Sequence, residues 1–263
     1  MVELLSILVF PGALYLVAMS LLLAWVDRKF VALWQGRVGP PWYQPLADLI
    51  KLLAKEDISP GGTRSLAAAL LPLVALVCTM TAGIFMPVGN AVIDSFEGDL
   101  IVALFLLSIP TLAYFLAGWL TPSVYGVLGG HRSLLQCFAY EVPLLLGLTA
   151  PAVYSQSWNT MALMHAQQGY RCHLFVLPVG FGVALLGLIG KLERVPFDIP
   201  HAKSEVGAGP LTEYSGRKLA LWRLGISVQT LVGINLLTAV YLGGADRIWG
   251  HWGFVVYVVK ITA

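Results

Sequence analysis

The sequence predicts an all-α fold, a polytopic bundle of transmembrane helices, and three observations carry that prediction. Apolar residues make up 58% of the 263 residues and charged residues only 11%, against roughly 45–50% and about 25% in soluble domains. The uncharged stretches approach or exceed the roughly 20 helical residues that cross a bilayer. The formal net charge is +2, so we expect no basic surface for nucleic acid, and the low charge content excludes disorder.

Six complete spans and the beginning of a seventh are predicted from the positions of the charges. In chain order they are 4–26, within 65–92, within 100–120, within 133–154, 174–189 and 224–242, with a fragment from about 253 to the last residue. No basic segment precedes the first span and no small-residue cleavage site follows it. We therefore expect an anchor and not a removable signal peptide.

The lysines and arginines predict the orientation. The loops 27–64 and 190–223 hold six each and the loop between spans three and four holds Arg132, which makes thirteen on one side. The opposite side holds Arg171 and Arg247. Because basic loops stay in the cytoplasm, the N-terminus is predicted to face outward, and residues 1–263 to form one integral membrane domain.

The first long loop, 27–64, is predicted to contain a short amphipathic helix starting at Pro45. Its apolar residues recur at helical spacing, and Asp48 and Lys51 mark the opposite face. Such a helix is too charged to span and is expected to lie at the interface or under a partner. A packing element without chemistry is an equal alternative. Before it, Arg37 opens a stiff Gly-Pro-Pro turn.

The second long loop, 190–223, is acidic and broken by prolines and glycines, so most of it is not expected to be regular helix. Its acids are Glu193, Asp198, Glu205 and Glu213. Carboxylates crowded near membrane depth retain protons that can be passed on. The alternative from composition alone is a solvated loop with ordinary surface acids.

Glu141 is the candidate functional residue inside the membrane. It is the only formal charge between Arg132 and Arg171, and an ionisable group at that depth is costly unless it is paired or faces water. A structural partner for an arginine or hydroxyl of another helix is the alternative. Tyr140 beside it is placed to relay a proton. Three cysteines without ligand spacing predict no redox centre or metal in this chain.

Ordered motifs along nearly the whole chain resemble one family, the subunit 1 family of respiratory complex I (NADH:quinone oxidoreductase), with its relatives in membrane-bound energy-converting hydrogenases. The matching segments are Asp27-Arg-Lys, Arg37-Val-Gly-Pro, Gln44-Pro-Leu-Ala-Asp-Leu-Ile-Lys, Lys55-Glu-Asp-Ile-Ser-Pro, Leu116-Ala-Gly-Trp, Tyr125, Ala139-Tyr-Glu-Val-Pro-Leu, Arg194-Val-Pro-Phe-Asp, Ser204-Glu and Thr212-Glu-Tyr-Ser-Gly. Each motif alone is weak, but the ordered set is specific.

The resemblance implies a membrane anchor beneath a peripheral electron-transfer arm, in the cell membrane. The implied proton path consists of Glu141, Glu205, Glu213, Asp198, Glu193 and Tyr140. The residues implied to dock the peripheral subunits are Arg28, Lys29, Arg37, Asp48 and Lys51. The implied partners are hydrogenase-like or complex-I-like peripheral subunits, antiporter-like membrane subunits and lipid. Iron–sulfur clusters and a nickel–iron site are expected in those partners, and no cofactor or catalytic residue in this chain.

The chain departs from the pattern of the quinone-using members in three ways. Two departures favour the hydrogenase branch, and the third concerns the length of the chain. Only Pro41-Trp-Tyr separates the first two loop motifs, and His201 and Lys203 stand where acids are usual in quinone-using members. Family members have eight helices, whereas this chain ends within the seventh. The leading hypothesis is a proton- or sodium-coupling subunit of a hydrogenase-type complex; a quinone-binding subunit and a passive anchor are the alternatives.

Overall fold

The computed structural model describes residues 7–58, 65–88, 92–93, 95–167, 172–202 and 205–243. Regular structure in these ranges is helical, which confirms the all-α prediction. The predicted fragment of a seventh span, residues 4–6 of the first span, and the loop residue Lys203 lie outside the described residues.

The helices are numbered in chain order. They are α1 (Ala13–Trp34), α2 (Gln44–Ala54), α3 (Ser65–Ile84), α4 (Asp99–Trp119), α5 (Val124–Ser155), α6 (Thr160–Ala166), α7 (His173–Val176), α8 (Pro178–Lys191) and α9 (Gly216–Tyr241). Two single 3₁₀ turns, Ile199–His201 and Gly209–Leu211, interrupt the acidic loop. The predicted amphipathic helix is α2, and it begins at Gln44 with Pro45 in its first turn, where proline needs no hydrogen-bond partner.

Four described helices are long and apolar enough to cross a membrane: Leu66–Ile84 of α3, and the whole of α4, α5 and α9. α1 has 22 residues but carries Asp27, Arg28 and Lys29 near its end, and α8 is a shorter apolar helix of 14 residues. Large apolar side chains are exposed along several helices, for example Phe105 at 68% and Leu135 at 71%. Apolar surface of this extent matches a lipid environment.

The predicted boundaries of both long loops are corrected, because charge ends a membrane span without ending a helix. α1 continues beyond residue 26 to Trp34, since no glycine or proline occurs before Gly36. α9 begins at Gly216, inside the predicted loop 190–223. α5 begins at Val124, so its 32 residues extend about 48 Å at 1.5 Å per residue, beyond the roughly 30 Å hydrocarbon core.

The predicted fifth span is also corrected, because Pro178 divides it. Leu177 adopts φ −126° and ψ 59° between α7 and α8. The residue before a proline is disfavoured in the helical region, so the helix breaks here. α8 then starts with Pro178, whose fixed φ suits a first helical position.

Neighbouring helices form a chain of contacts. α1 packs on α9, α9 on α3, α3 on α4, α4 on α5 and α5 on α8, and α2 lies against α9 and α1. The main apolar core lies between these helices and includes Leu16, Leu104, Leu144 and Val232. α4, α5 and α8 therefore pack side by side in succession, which sets the positions of their side chains relative to one another.

Small residues bring α5 and α8 into close contact. A Cβ added at Gly147 would lie 2.7 Å from the backbone N of Ala184, and one added at Gly187 would lie 2.9 Å from the Cα of Leu144. Small residues at such interfaces allow backbones to approach closely in membranes. The approach brings the C-terminal end of α8, which the basic loops predict to face the cytoplasm, next to the middle of α5.

Candidate functional site

The centre of the candidate site is an ion pair between Glu141 of α5 and Lys191 at the end of α8. The Lys191 Nζ lies 2.8 Å from Glu141 Oε1, and the two side chains are 3% and 17% exposed, lysine first. The same ammonium donates to the Ser108 hydroxyl of α4 at 3.2 Å. The Ser108 hydroxyl also contacts Glu141, and the Cys137 thiol donates to Glu141 Oε2 at 3.1 Å.

Lys191 was predicted to belong to the loop 190–223, and that assignment is wrong. It is the last residue of α8 and only 5% exposed. The signal was present in the sequence, because Ala184, Gly187 and Lys191 are spaced i, i+3 and i+7 and therefore share a helix face. A cation at a helix C-terminus is also favoured by the helix dipole.

A buried glutamine fixes the turn that follows α8. The Gln136 side-chain amide on α5 donates to the carbonyl of Gly190 at 2.6 Å and to that of Phe197 at 2.7 Å. Tyr140, predicted as a relay, packs on Phe197 with ring centroids 4.9 Å apart and lies directly over Gly190. These contacts tie the start of the acidic loop to α5.

Glu193, two residues after the end of α8, adopts a left-handed backbone conformation, with φ 51°. Its backbone N–H donates to the carbonyl of Gly190 at 3.2 Å, in the manner of a helix C-terminal cap that usually employs glycine. Non-glycine residues at positive φ are uncommon and concentrate at functional sites. The side chain is held by the buried Ser133 hydroxyl.

His201 joins Glu193 to Tyr114 of α4. The His201 Nε2 lies 3.0 Å from Glu193 Oε2 and 3.2 Å from the Tyr114 hydroxyl oxygen. Next to them is a cavity of about 40 Å³, room for a few water molecules. Lys191, Glu193, His201, Tyr114 and the hydroxyl-bearing Thr111 are among its lining residues.

The structure brings only part of the predicted proton path together. Glu193 and Lys191 line the same cavity, and Glu141 is reached through Lys191. Glu205 lies apart on the loop surface, 59% exposed and 2.5 Å from Arg132. Asp198 is exposed.

Glu213 precedes a buried tyrosine at the start of α9. Glu213 is half-buried and, within the described ranges, has no ion pair. Burial raises the pKa of the adjacent Tyr214 to about 12, so the phenol stays neutral at physiological pH. Tyr214 packs edge-on against Trp222, with ring centroids 6.0 Å apart. This corner therefore places one carboxylate beside an apolar cluster and away from the central cavity.

Two of the five residues predicted to dock a peripheral arm pair with each other. Arg28 of α1 forms a salt bridge of 2.7 Å with Asp48 of α2, and its hydrogen bond holds the pKa of Asp48 below the usual value. The Lys29 stem lies against Gly39. Arg37 continues the chain just after α1, and Lys51 lies exposed in the last turn of α2. These contacts fix α2 across the end of α1; docking itself stays a prediction.

Acidic, histidine and cysteine side chains do not gather into a metal site in the described part of the chain. No group of three or more such residues has the geometry to hold an ion there. The three cysteines are free thiols.

The fold and the site define a multi-pass membrane protein that holds a largely buried pair of opposite charges, Glu141 and Lys191, where α4, α5 and α8 meet. A family model described as NADH dehydrogenase matches residues 5–263. The chain belongs to that family, the subunit 1 family of respiratory complex I, which confirms the resemblance seen in the sequence motifs. It is accordingly a membrane subunit of a complex-I-like oxidoreductase assembly with further subunits.

A solved structure of a respiratory membrane complex also contains a chain with a similar fold. The chain is similar to a chain in the structure of the membrane-bound sulfane sulfur reductase, an archaeal respiratory membrane complex. The two are 28% identical with a TM-score of 0.86, and the match covers 98% of this chain and 84% of the other. The helices and loops described above therefore have counterparts in a respiratory membrane complex.

Proposed function

We propose that this chain is the membrane-anchor and ion-coupling subunit of its complex, linking electron transfer in a peripheral arm to translocation of protons or sodium ions. The observation that carries the proposal is the buried Glu141–Lys191 pair beside a cavity that Glu193 and His201 also line. An apolar chain places these titratable groups together inside the bundle, where a protonation change alters the charge balance strongly.

The energetics favour a coupling role over a passive anchor. Removing a carboxylate and an ammonium from water costs several kcal/mol per ion, and apolar residues of similar size often stabilise a protein more than a buried ion pair does. A passive anchor needs only packing between α5 and α8, which Gly147 and Gly187 already provide. The charged pair therefore supports a function beyond anchoring.

The proposed mechanism is electrostatic. A redox event in the docked arm rearranges the acidic loop and changes the proton affinity of its carboxylates. In this rearrangement Glu213 and Glu205, which do not line the central cavity in the described arrangement, pass protons to Glu193 and Glu141. Two contacts make the loop responsive to such a signal: the exposed Glu205–Arg132 salt bridge and the Glu193–His201 contact. The first contact joins the loop to α5, and the second joins two residues within the loop.

We place the chain in the hydrogenase-type branch, which transfers electrons to protons or sulfur species without a quinone. The similarity to a complex named as a sulfane sulfur reductase supports this placement, as do His201 and Lys203 at positions that are usually acidic in quinone-using members. Hydrogen evolution or sulfane sulfur reduction by the purified complex supports the branch. Inhibitor-sensitive quinone reduction would instead make this a quinone-binding subunit.

The proposed topology has six complete spans in the cell membrane, an outward N-terminus and both long loops in the cytoplasm. Twelve of the thirteen basic residues on one predicted side, all except the buried Lys191, support it. Single cysteines introduced at Arg37 and Glu97, in a cysteine-free background, test it by labelling intact cells with an impermeant maleimide. Labelling of the Glu97 position alone is expected, and labelling of the Arg37 position alone would invert the topology.

The test of ion coupling replaces Glu141 and Glu213 by glutamine in the whole complex. Ion uptake and electron flow are measured together in vesicles, and Glu97→Gln serves as the matched control because Glu97 is exposed before α4. Each site variant is expected to lower the number of ions moved per electron, while Glu97→Gln leaves it unchanged. Full coupling in both site variants would establish the passive anchor.

A further inference from the structure

Lys191 is one cation placed among several groups that compete for it. It touches Glu141 directly at 2.8 Å, and it lines the cavity together with Glu193. Glu193 in turn contacts His201, whose imidazole is exposed by one third. With a neutral imidazole, two carboxylates and one ammonium leave this cluster one negative charge in excess.

The excess negative charge favours the binding of one proton, because the interior of the bundle has a low dielectric constant. Two nearby carboxylates that share a single counter-charge do not both ionise freely, since like charges oppose each other and burial penalises the ions. The carboxylate that loses the ammonium is the one that is easier to protonate. The position of the ammonium therefore selects the carboxylate that binds the proton.

The cavity offers the ammonium a second position. A lysine has a flexible four-carbon stem and three rotatable donors, which an arginine fork lacks. Thr111 lines the same cavity, is 6% exposed, and its hydroxyl has no hydrogen-bond partner among the described residues. A buried polar atom without a partner marks a place for water or for a moving donor.

We propose that Lys191 is a positioning residue whose ammonium alternates between Glu141 and the cavity side occupied by Glu193. When a proton from the cavity water binds Glu141, its charge is cancelled and the ammonium turns to Glu193. When Glu141 releases the proton toward the neighbouring membrane subunits, the ammonium returns. One proton is bound and released in each cycle, and no bond between heavy atoms changes. This role rests on the proposed function and names the switching element within it.

The groups that face this ammonium come from four parts of the molecule. α5 supplies Glu141 and the Cys137 thiol, and α4 supplies Tyr114 besides two hydroxyls. The loop supplies Glu193 and His201. The cavity wall from α9 is made of the uncharged residues Trp222, Gly225, Ile226 and Gln229. With the imidazole of His201 neutral, Lys191 is the one cation among the described residues that line the cavity, so its charge balance depends on Lys191.

The test uses infrared difference spectroscopy of the whole complex in vesicles, with Lys191→Met as the key variant. Removing the ammonium is expected to leave Glu141 protonated at neutral pH, seen as the carbonyl band of a carboxylic acid. Lys191→Arg retains a cation and is expected to restore the ionised carboxylate without restoring normal ion uptake, because the fork cannot alternate. Lys218→Met is the matched control, since it removes a lysine from another ion pair, with Asp57.

The outcomes separate this inference from the proposed function. A protonated-carboxyl band in Lys191→Met that vanishes in Lys191→Met with Glu141→Gln supports the counter-charge role. An unchanged spectrum, or full ion uptake in Lys191→Arg, overturns the alternation. If the band appears but Glu141→Gln alone still moves ions normally, Lys191 controls Glu141 while the proposed coupling function fails. If Lys191→Met does not assemble into the complex, the same spectral comparison is made with Lys191→Gln.

Discussion

Replacing Gly187 by alanine should separate α5 from α8, and Gly182 provides a control on the same helix. A Cβ at Gly187 would lie 2.9 Å from the backbone of Leu144, whereas one at Gly182 meets nothing within 4 Å. Carbon atoms pack best at about 3.5–4.0 Å, so the helices must move apart by about 0.6–1 Å. Overpacking of this kind costs about 1–3 kcal/mol.

The comparison isolates packing because both variants gain the same helix propensity, about 1 kcal/mol for alanine over glycine. The free energy of unfolding should therefore differ between Gly187→Ala and Gly182→Ala by about 1–3 kcal/mol, with Gly187→Ala the less stable. The assay heats the solubilised complex and follows maleimide labelling of Cys137, which is 4% exposed, by mass spectrometry. Equal unfolding midpoints would refute the close approach of α5 and α8.

Three further predictions concern polar contacts that join helices and loops. The hydrogen bond from Arg28 lowers the pKa of Asp48, so this exposed pair stabilises the α1–α2 contact at pH values above the ordinary aspartate pKa. The stabilisation is lost as the pH falls through the lowered pKa, and the variant Asp48→Asn should lack this pH-dependent part of the free energy of unfolding in an acid titration. A double-mutant cycle on Arg132 and Glu205 should give a coupling below about 1 kcal/mol, because the pair is solvent-exposed, while a larger value would show a buried pair. Asp99→Ala should lower the free energy of unfolding by about 1–3 kcal/mol, because the buried backbone N–H of Thr160, which donates to the Asp99 carboxylate at 2.8 Å, loses its partner. Stability equal to wild type in a denaturant titration would contradict this.

The sequence predicted the helical class and the region of the site because both depend on local composition. Long uncharged stretches can be recognised without any knowledge of neighbours, and so can a lone carboxylate such as Glu141. Helix ends were harder to predict, because they depend on hydrogen bonds, glycines and prolines. α1 continued past three consecutive charges to Trp34, and Pro178 ended a helix inside an uncharged stretch.

Lys191 could not be placed by counting charges. The count assigned every base outside a span to a loop, yet whether a lysine faces water or a carboxylate depends on which helix lies beside it. That neighbour is selected by glycines spaced along α8 and by the approach to α5. Reading the small residues and the charges of one helix face together would have revealed the pair.

α5 also has a mechanical consequence. It is continuous from Val124 to Ser155, so Arg132, which forms a salt bridge to the loop, and Glu141 belong to one helix, about 13.5 Å apart along its axis at 1.5 Å per residue. Two residues beyond Glu141, Pro143 interrupts the backbone hydrogen bonds, and prolines kink helices. A displacement of Arg132 is therefore expected to bend α5 in the turn between Ala139 and Pro143, where Glu141 lies, and so to move the carboxylate without any relay of side chains between the two.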